Sequence, residues 1–181
     1  SWRWPCVFGK AKDVSHFQVP PEKKDHQDAP DSKPTVELDY MYLKDAADKE
    51  KKVTVLTGVA VRTGAGFAAQ VWAKGPADEY PLKALEGLLR EQGLLGGCIL
   101  KYDPENAVFS VVEKLCSIHK NLVPAKTPKK SHQSLGTGER WHQSIQGQTR
   151  TLRVEHEKQY NRKMTIEDKL LPWMLRHSGW I

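Results

Sequence analysis

The chain has 181 residues, 39% of them hydrophobic, and carries 28 Lys and Arg against 22 Asp and Glu for a net charge of +6. That is enough for one domain with its own core plus a tail, and it excludes a wholly disordered chain. No apolar run approaches the ~18 residues of a membrane span, and Ser1-Trp-Arg-Trp-Pro-Cys6 is not a signal peptide, so no membrane partner is expected.

Residues 1–34 mix Lys, Asp, Pro and His without periodicity and read as linker. Thr35 to Leu43 reads as a strand, followed by a charged turn from Lys44 to Lys52. Val53 to Val61 is a second β-branched run, and Thr63-Gly-Ala-Gly66 turns it into a third strand, Phe67 to Ala73. Leu82, Leu85, Leu88 and Leu89 recur at helical spacing within Pro81 to Gln92, with Gly93 as the stop. Cys98 to Asp103 is a short strand, Glu105 to His119 a helix with Val108, Val112 and Leu115 on one stripe, and Leu122 to Ala125 a last strand. After a basic loop, Thr127 to Gly138, a long helix runs from about Gly138 to Lys163. Thr165 to Ile181 reads as a final helix interrupted near Pro172, with an end that looks truncated. A three-strand meander followed by α/β units predicts a mixed sheet with helices on its faces.

Three acids stand at informative places. Asp39 lies inside the first strand, Asp103 ends the fourth, and Glu139 opens the long helix. An acid within an apolar strand is costly to bury unless it is paired or metal-bound. Pro104 biases Asp103 to extended backbone and ends its strand. If the first and fourth strands are neighbours, their acids meet at one edge, and the long helix can bring Glu139 to them. Gathered carboxylates call for cations, and hard oxygen ligands favour Mg2+ or Mn2+.

Between Asp103 and Glu139 stand 35 residues (139 − 103 − 1). Around the acids, Glu37-Leu-Asp39-Tyr40 and Ser131-His-Gln-Ser-Leu-Gly-Thr-Gly-Glu139-Arg-Trp-His-Gln143 resemble the D,D,x35,E signature of retroviral and retrotransposon integrase catalytic cores. The resemblance covers residues 35–181 and looks nearest to copia-type elements. It implies an RNase H-like five-stranded mixed sheet with flanking helices. It also implies two Mg2+ or Mn2+ ions held by Asp39, Asp103 and Glu139, and 3′-processing and strand transfer on double-stranded DNA. Self-association and an intracellular, nuclear setting follow by the same analogy. Two other readings remain: a decayed DNA-binding remnant, and an RNase H-like nuclease that cuts without joining.

Family members carry a His-His-Cys-Cys zinc module upstream. Ser1 to Lys12 resembles its end, but Arg3 stands where its first Cys belongs and only Cys6 remains, so no zinc is expected. Cys6, Cys98 and Cys116 are odd in number and widely spaced, which fits a reducing compartment rather than a disulfide framework. On the long helix, Trp141, Ile145 and Leu152 form a stripe for burial, with Glu139, Gln143, Gln146, Arg150 and Arg153 on the other side. Lys126, Lys129, Lys130, His132, Arg140, Gln143, Gln146 and Arg150 are the candidate DNA contacts. Trp72 and Trp173 are expected in the core, and His119, His132 and His142 have no metal-ligand spacing.

Overall fold

The computed structural model describes residues 33–44, 51–128 and 136–180. Five strands, β1 (Thr35–Lys44), β2 (Lys52–Ala60), β3 (Gly66–Val71), β4 (Ile99–Tyr102) and β5 (Val123–Lys126), form one sheet in the order β3-β2-β1-β4-β5. β1, β2 and β3 pair antiparallel, whereas β4 and β5 join parallel to β1 and to each other. The parallel pairs need crossovers, and the helices supply them. α1 (Glu79–Glu91) links β3 to β4, and α2 (Asn106–Ile118) links β4 to β5. α3 (Gly136–Tyr160) and α4 (Leu171–Ser178) complete the chain.

Strand alternation divides the core in two. Val36, Leu38 and Tyr40 point to one face, where they pack with Leu82, Leu85 and Leu89 of α1 and Val108, Val112 and Leu115 of α2. Met41 of β1 and Val53 and Val55 of β2 point to the other face and meet Ile145 of α3 and Leu171 and Leu175 of α4. Helices therefore cover both sides of the sheet.

Local chemistry sets the element ends. Asp78 accepts a hydrogen bond from the Tyr80 amide at 3.0 Å and caps α1 at its start. Gly93, at φ 67°, takes the left-handed conformation just beyond α1. Pro172 does not interrupt the last helix as expected; it sits in the first turn of α4, where its missing N–H has no helical partner to lose. Among the described residues, no helix is long and apolar enough to cross a membrane.

Candidate functional site

β1 and β4 run parallel side by side, with Leu38 opposite Tyr102. The next residues along the two strands are Asp39 and Asp103, so the two acids leave adjacent strands at one level of the sheet. Alternation places Glu37, Asp39 and Met41 on the face that α3 covers. Asp39 is part-buried there, and its Oδ1 accepts from the Tyr40 amide at 2.7 Å. Its carboxyl is raised from the usual 3.8 to about 6 by burial, with the Tyr40 amide opposing, the negative charges of Asp103 and Glu105 adding to the rise and Lys74 pulling the other way. Asp103 is exposed, and the buried Thr127 hydroxyl, just past β5, donates to its Oδ1 at 3.4 Å.

Two residues that sequence reasoning missed stand next to this pair. Lys74, in the loop after β3, forms an ion pair with Glu105 in the turn after β4. Its ammonium lies 4.8 Å from the Tyr40 ring centroid and 5.1 Å from that of Tyr42. The Tyr40 hydroxyl accepts from the Gly75 amide at 3.0 Å, which ties the same loop to β1. Glu105 lies only two residues past Asp103, a visible signal; Lys74 is distant in sequence from every acid it faces.

Glu37 is the third missed residue. It is only 6% exposed, and both its carboxyl oxygens are hydrogen-bonded: Lys101 donates to its Oε1 at 3.3 Å and the Gly138 amide to its Oε2 at 2.8 Å. Gly138 is in the first turn of α3, so Glu37 satisfies one of the free amides there and complements the helix dipole. The signal was available, since period-two alternation puts Glu37 on the face of Asp39.

Glu139 follows Gly138 and is exposed in that first turn. Trp141 is half-buried, its ring lying on Gly66: a Cβ on Gly66 would stand 2.5 Å from Trp141 Cζ2 and 2.5 Å from the Gly58 carbonyl. His142 Nε2 lies 2.8 Å from Thr57 Oγ1, which donates to the Asp39 carbonyl at 3.0 Å. Because the hydroxyl has one proton and spends it on Asp39, His142 must donate through Nε2. Burial lowers the His142 pKa, with Glu139 opposing, so the ring is neutral and braces α3 against the strand that carries Asp39.

The structure brings Asp39 and Asp103 together and leaves Glu139 apart on its helix. Among the described residues no three His, Cys, Asp or Glu side chains stand close enough to hold a metal ion. The Asp39–Asp103 pair nonetheless offers carboxylate oxygens of the kind a hard cation takes, and burial raises the cost of charging Asp39. Lys126 ends β5 opposite Tyr102, on the same edge as Asp103. Arg140, Gln143 and Arg150 are exposed along α3, while Gln146 is half-buried and lines a cavity of about 370 Å³ with Arg150. Arg153 does not face solvent freely; it donates to the Met164 carbonyl at 2.6 Å and pairs with Glu157. Lys129, Lys130 and His132, like residues 1–32 with the zinc-module remnant, Arg3 and Cys6, lie outside the described residues.

The tryptophans correct another expectation. Trp72 is 88% exposed and Trp173 59%, so neither is core. Trp72 falls just beyond β3, which ends at Val71, and Trp173 turns outward on α4 to stack on His177 with ring centroids 5.0 Å apart.

No protein-family model matches the sequence, and no curated protein matches it. Solved structures do. The HTLV-2 integrase catalytic core domain in complex with magnesium superposes in its trimeric form with a TM-score of 0.51 at 14% identity, covering 81% of this chain and 82% of that one. Its dimeric form gives 0.51 at 14% identity over 81% and 83%. A chain of the simian T-cell lymphotropic virus intasome, solved with a PP2A regulatory subunit, gives 0.57 at 14% identity, over 81% of this chain and 46% of that one. The chain has the RNase H-like fold of these integrase cores.

Proposed function

We propose that a chain with this fold, and with paired acids at this level of its sheet, is a retroelement integrase core that cuts and joins DNA with divalent cations. The observation that carries the reading is the parallel β1–β4 register, which sets Asp39 and Asp103 on adjacent strands. Asp39 and Asp103 would hold the first cation, and Glu139, in the first turn of α3, would complete the set. Mg2+ or Mn2+ held by these residues would supply Lewis-acid activation of an attacking hydroxyl and stabilisation of the leaving oxygen of a phosphodiester.

The chain's own residues do the rest. Thr127 steadies Asp103 through its Oδ1. Glu37 and His142 hold the start of α3 to the sheet, which fixes where Glu139 can reach. Lys74 offsets Glu105, so that less negative charge opposes an approaching phosphate. Lys126, Arg140, Gln143, Gln146 and Arg150 would bind the backbone of a duplex, together with Lys129, Lys130 and His132, which precede α3 in the sequence. Residues 1–34 would comprise a linker and the degenerate end of a zinc module. The functional unit would be a homo-oligomer acting on nuclear DNA.

A nuclease of the same fold would use the same acids and only cut. Incubating the chain with Mn2+ and short labelled duplexes separates the two. Products longer than the input support joining, shortened strands alone support the nuclease, and unchanged duplex supports a decayed DNA-binding remnant.

A further inference from the structure

An exposed tryptophan is costly to leave in water, since an aromatic of this size gains most of its free energy from burial. Trp72 is 88% exposed immediately beyond β3 and belongs to no packing cluster of the described residues. It lines a groove of about 630 Å³ whose floor includes Val53, Val71 and Pro172. Gln70 also lines this groove, and its buried Oε1 has no hydrogen-bond partner among the described residues. The Gln70 oxygen is too buried to meet a ligand, so the recognition features are the apolar lining and the one projecting indole, which suit a planar ligand with apolar faces.

The charges around the groove narrow the class. Glu167 and Asp168 are on its wall, but Glu167 is paired with Lys51 at 2.7 Å and Asp168 with Arg162 at 2.8 Å. Lys52 and Lys169 line the same groove and pair with no carboxylate among the described residues. Among the described residues the groove is therefore basic in net effect. It also leads somewhere. Ile166 lines both this groove and the 370 Å³ cavity that holds Lys44, Gln146 and Arg150. Lys52 spans the two, with its ammonium 4.6 Å from the ring centroid of Tyr42, which lines the cavity.

We propose that this path takes an unpaired nucleic-acid strand, with a base stacked on Trp72 and phosphates on Lys52, Lys44 and Arg150. Base stacking on an aromatic beside a positive groove is how single strands are held without sequence reading. A duplex cannot use Trp72 in this way, because its bases are already stacked. The path starts on the polar face of α3, two helical turns from Glu139, so it receives a strand that leaves the carboxylates. This rests on the reading that the chain acts on nucleic acid, but it needs no catalysis.

The test compares binding of labelled oligothymidylate and of a blunt duplex at low salt, without divalent cation, for the parent, Trp72→Ala, Trp72→Phe and Lys52→Ala. Melting curves check that each variant folds, as expected for side chains so exposed. Trp72→Ala should bind the single strand about tenfold more weakly and the duplex within about twofold of the parent. Trp72→Phe should recover most of the loss, and Lys52→Ala should reduce the salt slope for the single strand by about 0.7. Equal single-strand affinity for Trp72→Ala and parent overturns the proposal, as does an equal loss on both substrates. So does sedimentation showing that Trp72→Ala only converts a parental dimer to monomer, which would assign the groove to a second copy of this chain. A chain that joins no DNA but shows the selective Trp72 effect keeps this path and loses the integrase reading; the reverse result keeps the reading and loses the path.

Discussion

At the scale of single residues, Asp39 sets the behaviour of the centre. Its folded pKa, about 6, exceeds the ordinary 3.8. Below about pH 4 the carboxyl is neutral in both the folded and the unfolded chain and costs nothing. Between about pH 4 and 6 the unfolded chain gives up its proton first, so stability falls as pH rises, by up to about 3 kcal/mol. Asp39→Asn removes that cost. Without divalent cation it should be more stable than the parent at neutral pH, and the difference should vanish near pH 4, as read from urea midpoints. Equal midpoints at neutral pH would show that Asp39 is already compensated. Glu37 has the opposite sign. Glu37→Ala removes the acceptor of the Gly138 amide and one partner of Lys101 and should cost about 1–3 kcal/mol, while Glu37→Gln keeps an acceptor and should cost less. A Glu37→Ala variant as stable as the parent would mean that water serves both donors equally well.

At the scale of elements, the position of α3 depends on Gly66. Trp141 occupies the space that a side chain there would need, and the Gly58 carbonyl closes the other side. Gly66→Ala should cost about 1–3 kcal/mol and shift the Trp141 emission as the ring is pushed off the strand. An unchanged melt and spectrum would place Trp141 elsewhere. The strands and helices themselves were legible, because β-branched runs and leucine spacing report local periodicity. Asp39 and Asp103 could be assigned to strands for the same reason. Their meeting could not be read from either segment, since it depends on β4 pairing parallel to β1 rather than to β3, which is a property of the crossovers. Lys74 and Trp72 were beyond reach for the same cause. Both follow β3 and gain meaning only from neighbours across the fold, Glu105 and Tyr40 for the lysine and the start of β2 for the tryptophan.

At the scale of the whole molecule, the two halves of the core have separate tasks. The α1–α2 face packs the larger cluster, and on the α3–α4 face Glu37 ties the start of α3 to the strand that carries Asp39. Function should therefore be separable from folding. Glu139→Gln alters one exposed side chain, so its melt and its DNA affinity should match the parent, while any joining activity should fall to background. Joining at the parental rate would make Glu139 a surface acid. The claim on which the rest depends is that Asp39 and Asp103 share a divalent cation. Mn2+ titration followed by electron paramagnetic resonance tests it without requiring DNA or turnover. The parent should bind Mn2+, and Asp39→Asn and Asp103→Asn should each weaken that binding at least about tenfold, because a neutral amide is a poorer ligand for a hard ion. A parent that leaves Mn2+ free, or variants that bind it as tightly as the parent, would contradict the account.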